Sequence, residues 1–239
     1  MASQVLVSLF PLTRVCLFPA TTKPLNIFEP RYVQMINDAL AVNGDVAVVY
    51  AEPTTTAEGV RAGVRGHLRA IAGVGKVRLL ERRADAGMLI LLEGTGKVRL
   101  SEVYEPVSPK LYLQAKGEWV KEEVELPPSD LLVLQHMMRE LNRWLSIQVT
   151  DAATRAAFLN ELRTAEQKVN AMCALMVLDA DEQQSLLELN SISERLAQLA
   201  LVCGSSASWG NEPRPRHFGT SEDDDGSGGR GPAGSDETH

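Results

Sequence analysis

Val5, Val7 and Leu9 fall at every second position between Gln4 and Phe10, the period of a half-buried β-strand. Val46 to Tyr50 is almost continuously apolar and fits a strand covered on both faces. Lys76 to Glu81 and Met88 to Glu93 read as a hairpin across Arg83-Ala84-Asp85-Ala86-Gly87, whose Asp and Gly supply turn chemistry. Lys97 to Tyr104 and Leu111 to Trp119 extend the series. Short strands with small turns predict a compact barrel or folded sheet. One helix interrupts it: after Pro30, Val33, Ile36, Ala39 and Leu40 recur at helical spacing.

Pro127-Pro128 punctuates the chain, and from Ser129 the period becomes that of amphipathic helices. Leu131, Leu134, Met138, Leu141 and Leu145 share one face, with Trp144 beside it. Val169, Met172, Cys173 and Met176 mark a second helix. Leu186, Leu187 and Leu189 mark a third behind Asp181 and Gln184, which look like a capping pair. Ile192, Leu196 and Leu199 mark a last one, introduced by the capping box Ser191-Ile192-Ser193-Glu194. The pattern predicts an α+β chain: a β subdomain over residues 1–126, a helical bundle over 127–203, and a tail over 204–239 whose composition offers no core.

Composition sharpens the last boundary. The segment from Gly204 holds 8 of the 18 glycines, with 3 basic and 7 acidic residues, so −4 of the net charge of −7 sits there and −3 on the rest. The tail is expected to be disordered, and its island from Trp209 to Phe218, with Arg214 and Arg216 between the aromatics, is the part suited to docking. Neither portion carries the basic balance that nucleic acid requires. The start of the chain lacks a basic signal-peptide region, and no apolar run reaches membrane-spanning length, so a cytoplasmic protein is expected. Cys16, Cys173 and Cys203 are odd in number and lack CxxC spacing, which predicts buried free thiols. His67, His136, His217 and His239 share no ligand spacing, so neither a metal nor another cofactor is expected.

The sequence GKVRL occurs at Gly75 to Leu79 and again at Gly96 to Leu100. A phosphate-binding loop needs a glycine five residues earlier and a hydroxyl residue after the lysine. Those earlier positions hold Ala70 and Leu91, and valine follows each lysine. Both copies read instead as strands entered through a glycine turn, with Val and Leu inward and Lys and Arg outward. There is no G-x-S-x-G elbow, and Ser235 lies in the tail, where nothing holds a base beside it. The chain is not expected to be an enzyme.

The densest stretch is PLNIFEPRY, Pro24 to Tyr32. Leu25 and Ile27 face one side of an extended segment and Asn26 the other, while Pro30 suits the first position of a helix. On this reading Ile27, Phe28, Glu29 and Pro30 form a structural corner, with the Glu29 carboxylate accepting from the helix's orphan amides and Arg31 pairing with it or with a strand carbonyl. Tyr32 packs its ring. The other reading is direct contact with a ligand peptide through Asn26, Arg31 and Tyr32.

Phe10-Pro11-Leu12, then Leu17-Phe18-Pro19, then Pro24-Leu25-x-Ile27-Phe28-Glu29-Pro30-Arg31-Tyr32-x-x-Met35 together resemble the amino-terminal substrate-binding (LON) domain of ATP-dependent Lon proteases. Asp181-Glu182-Gln183-Gln184-Ser185-Leu186-Leu187-Glu188 followed by Glu194-Arg195-Leu196 is similar to the helical segment near that domain's end, so the resemblance brackets residues 4 to 203. It implies a PUA-like β-barrel subdomain followed by a helical one, and a module that binds unfolded or regulatory polypeptides, in association with proteolysis machinery. The chain ends before an ATPase or a serine-lysine peptidase module could begin, so it resembles a stand-alone LON-domain protein of the peptidase S16-like group. Two positions depart from the family pattern: glycine is usual where Ala20 stands, and histidine is common where Asn26 stands. The rival functions are a PUA-like small-ligand or RNA-binding domain and an unrecognised hydrolase.

Overall fold

A computed structural model describes residues 4–52, 67–84 and 86–205. The tail from residue 206 onward, including the Trp209 to Phe218 island, and Asp85 of the hairpin turn lie outside the described residues.

Six strands form one mixed sheet: β1 (Gln4–Leu12), β2 (Thr22–Ile27), β3 (Asp45–Tyr50), β4 (Ile71–Arg82), β5 (Met88–Tyr104) and β6 (Gln114–Trp119). The order is β2-β5-β4-β3-β1-β6, and β6 pairs again with β5, so five strands close into a barrel and β2 is an added flap. Among these six strands only β1 and β3 pair in parallel. Their connection carries β2 and helix α1 (Pro30–Val42), as a parallel crossover requires. β3 is buried from Val46 to Tyr50, matching its unbroken apolar run.

Closure depends on the length of β5. Its first part, Met88 to Glu93, pairs with β2, and its last part, Val98 to Tyr104, pairs with β6. The two strands expected at Met88 and Lys97 are therefore one. Gly94 and Gly96 do not turn the chain; they let another segment come close. A Cβ on Gly94 would stand 2.1 Å from the Phe18 carbonyl oxygen, and one on Gly73 in β4 would stand 1.9 Å from that of Leu17. The Leu17-Phe18-Pro19 segment thus lies directly against the glycines of β4 and β5. Likewise the glycine turn expected before the first GKVRL is strand interior, marked by a register shift at Val74/Gly75.

After a 3-10 turn (Pro128–Asp130) come α2 (Leu131–Gln148), α3 (Ala152–Glu161), α4 (Ala165–Met176), α5 (Ala180–Glu188) and α6 (Ile192–Ser205). In α2 the buried face is Leu134, Met137, Leu141 and Leu145, whereas Leu131 is exposed in the first turn. α3 was not legible from apolar spacing because it buries no residue; Asp151, whose carboxylate accepts from the Thr154 amide, starts it. The thiols of Cys16 and Cys173 are buried and that of Cys203 is partly covered, and none of the three is in a disulfide.

The largest apolar cluster belongs to neither half alone. Cys16, Phe18, Tyr50 and Ile71 from the barrel side pack with Leu134, Met172, Leu186, Leu187 and Leu196 from the helices. A second cluster fills the space beneath α1, with Phe10, Ile27, Tyr32, Met35 and Ile36. A third lines the barrel interior around Leu9, Val49, Val74 and Val98.

Candidate functional site

The corner PLNIFEPRY joins β2 to α1. Leu25 and Ile27 point toward the core and Ile27 is buried, while Asn26 is exposed on the opposite face, as strand alternation requires. Pro30 occupies the first turn of α1, where its missing N–H costs nothing. The Glu29 carboxylate does not cap the helix. It accepts from Arg31 instead, at 2.9 Å from Nε and 2.7 Å from Nη2, because the guanidinium fork two residues away offers charged donors that outcompete the backbone amides.

The Arg31 guanidinium also lies over the Tyr32 ring, 4.5 Å from its centroid, and that ring packs at 4.6 Å on Phe10. Tyr32 is buried, and burial raises its phenol pKa, with Arg31 opposing and Glu29 adding to the shift. Of the residues singled out from sequence, Asn26 and Arg31 therefore reach the surface, and Tyr32 supports Arg31 from below. Phe28 stands beside them with 70% of its surface exposed, an uncovered aromatic ring at the tip of the corner. Among the described strands β2 pairs only with β5.

A second cluster, which sequence reasoning missed, lies where the barrel meets the helices. Lys97 of β5 and Arg195 of α6 are both buried, and both contact the Glu122 carboxylate, Lys97 at 3.0 Å. Their remaining donors cover the carbonyls that end α5. Lys97 Nζ donates to Leu187 at 2.8 Å and to Leu189; Arg195 donates to Leu186 at 2.9 Å and to Leu189 at 2.7 Å. A helix C-terminus carries unpaired carbonyls and partial negative charge, so two cations there satisfy both needs. Arg195 also donates to Asn170 at 2.6 Å, and Asn170 donates to the Pro19 carbonyl at 3.1 Å. Burial and the neighbouring Arg195 bring the Lys97 pKa down to about 8 against the opposing pull of Glu122.

The same seam carries Tyr50, whose hydroxyl donates to Asp181 at 2.6 Å, and Gln184, which donates to the Ile71 carbonyl at 3.0 Å and accepts from the Cys16 thiol at 3.5 Å. Asp181 and Gln184 are thus seam residues. The cap of α5 is Asp179, which accepts from the Glu182 amide. Burial raises Tyr50 and Cys16 each to about 12, with Asp181 adding to both. Arg69 completes the seam with Glu188 at 3.0 Å. The sequence signals for this cluster were the recurring GKVRL, the Asp181 to Glu188 segment and the Glu194-Arg195-Leu196 triplet, and no spacing indicates that they meet.

The arrangement has a surface corner suited to contact and a buried ionic seam suited to holding two halves in register. Among the described residues no group of His, Cys, Asp and Glu is placed to hold a metal ion, and no helix is long and apolar enough to cross a membrane. No curated protein matches the chain significantly. Two solved structures share its fold. A Lon N-terminal domain protein from Xanthomonas campestris is 21% identical, with a TM-score of 0.57 over 82% of this chain and 98% of that one. The N-terminal domain of a Mycobacterium avium complex Lon protease is 16% identical, with a TM-score of 0.62 over 84% and 98%. The family model of the ATP-dependent protease La (LON) substrate-binding domain matches residues 7–201, and the chain belongs to that family.

Proposed function

We propose that the chain binds polypeptides without acting on them chemically. The observation that carries this reading is the family match, which spans both the barrel and the helices. The partners we infer are unfolded or regulatory polypeptides and, through them, proteolysis machinery of cytoplasmic protein quality control. The contact surface is the corner: Phe28 offers exposed apolar area, and Asn26 and Arg31 offer polar recognition. The lysines that might have bound nucleotide are engaged elsewhere, Lys76 with the Asn43 carbonyl and Asp45, and Lys97 in the seam.

Binding of fluorescently labelled, denatured casein, followed by anisotropy, tests the proposal. Saturable binding that Phe28→Asp and Asn26→Ala each weaken about tenfold, without a change in melting, is the expected result. Ile27→Ala serves as the control whose affinity falls only as folding fails, since loss of its buried side chain costs about 2–5 kcal/mol. Absence of binding, or turnover of casein or ATP that scales with protein through repeated purification, would overturn it.

A further inference from the structure

A groove of about 240 Å³ runs along the 18-residue helix α2 where the end of α6 comes beside it. From α2 it takes His136, Glu140, Arg143 and Ile147, with the half-buried Trp144 next to them. Spacings of 4, 3 and 4 residues keep those four on one stripe, about a third of a turn from the face that Leu134, Leu141 and Leu145 bury in the bundle. Val133 extends the stripe at its N-terminal end, with Leu132 beside it. Both are exposed, Leu132 to 75%, and Ile147 at the other end to 51%. Such apolar area on the outside of a helix marks a contact surface.

The charges on the stripe select what covers it. Glu140 and Arg143 stand about one turn apart at its centre, between the two apolar ends. Among the described residues neither takes part in an ion pair. A basic or an acidic segment laid here would satisfy one of them and repel the other. A copy of the same helix satisfies both. Placed antiparallel about a two-fold axis between positions 140 and 143, it sets Glu140 against the copy's Arg143 and Arg143 against the copy's Glu140. The same operation sets Ile147 against the copy's His136 and brings the Leu132-Val133 end of each helix to the Ile147 end of the other. A stripe with 3- and 4-residue spacing packed on its own reverse is coiled-coil geometry, and antiparallel helix dipoles favour it.

We propose that two copies of this chain associate through α2, antiparallel and two-fold, with Glu140 of each copy against Arg143 of the other. The contact is isologous, so it closes at a dimer. A single helix pair flanked by the end of α6 falls below a standard interface of about 1,200 Å², so the dimer is reversible, with a Kd in the micromolar range. The proposal uses neither the corner nor the seam and does not depend on the polypeptide-binding reading.

Sedimentation velocity on the full chain from about 1 to 500 μM tests it, with charge swaps at the centre of the stripe. The native chain should pass from monomer to dimer across that range. Glu140→Arg and Arg143→Glu should each weaken dimerisation at least about tenfold, because each sets like charges face to face. Mixed in equal amounts, the two single variants should form a heterodimer, and the double variant Glu140→Arg/Arg143→Glu should dimerise with a Kd within about threefold of the native one, since the swapped pair is again complementary. Circular dichroism of every variant checks that α2 and the fold are intact. A native chain that stays monomeric throughout overturns the proposal, as does a dimer whose Kd the single swaps leave unchanged. Loss of the dimer with no recovery in the mixture or in the double variant also overturns it, because the two charges would then not face each other.

Discussion

The two copies of GKVRL have the same five residues, both run in strands, and their lysines live in opposite surroundings. Lys76 keeps 37% of its side chain in solvent while it reaches the Asn43 carbonyl at 2.6 Å and Asp45 at 3.2 Å. Lys97 has none exposed and is held by Glu122 and two carbonyls at the end of α5. The glycines differ too: a Cβ at Gly75 would meet the Glu93 carbonyl oxygen and a Leu17 methyl at 2.8 Å, whereas one at Gly96 would meet the edge of Trp119 at 3.1 Å. The expectation that both lysines face water holds for one copy and fails for the other. A strand segment states which residues share a face; whether that face meets water or a helix end is decided by what packs on it.

The largest effect should come from the carboxylate that holds the second copy in place. Glu122→Gln leaves Lys97 and Arg195 buried without their shared counter-ion, and denaturant unfolding should show a loss of about 3–5 kcal/mol. Lys97→Met leaves Glu122 with Arg195 but strips donors from the α5 carbonyls, and should cost about 1–3 kcal/mol. Similar losses for Lys97→Met and Lys76→Met would erase the contrast.

The pH dependence of the Lys97 comparison has a definite sign. The unfolded chain holds this proton up to about 10.5 and the folded chain releases it near 8. Between those values unfolding takes up a proton, so the wild-type chain should gain stability relative to Lys97→Met as pH rises from 8 toward 10. Thermal melting of the two chains in parallel across that range checks it, and a gap that stays flat would break this part of the contrast. Subtracting the variant removes the parallel losses from Cys16, Cys173, Tyr50 and Tyr112, whose raised pKa values make the folded chain less stable in alkali.

Smaller effects sharpen the rest of the pair. Gly75→Ala meets a backbone oxygen and should cost about 1–3 kcal/mol, while Gly96→Ala asks only a ring to shift and should cost less than its counterpart. Lys76→Met should change stability least, within about 1 kcal/mol, because its ion pair is partly solvated.

Much of the architecture was legible before any coordinates. The buried run of β3, the α1 pattern behind Pro30, and the faces of α4 and α6 follow from residue period alone, because each element hides one apolar face and the period reveals it. The corner was legible for the same reason: proline, strand alternation and a helix start are local properties. Its side-chain pairing was not. Glu29 had both orphan amides and Arg31 in reach, and the folded chain pairs it with Arg31, whose guanidinium rests on the Tyr32 ring.

What the chain alone determined about this protein is therefore the order of most of its elements, the inward faces of β3, α1, α4 and α6, and its family. Tertiary structure decided that Met88 to Tyr104 is one strand closing a barrel, that Asp181 and Gln184 reach across to Tyr50 and Ile71 instead of capping their own helix, and that one of two identical lysines is buried. The physical reason is one of range. Period and propensity act over a few residues, whereas the seam joins Lys97, Glu122 and Arg195 across 98 positions from first to last (195 − 97), and only the folded packing brings their charges within hydrogen-bond distance.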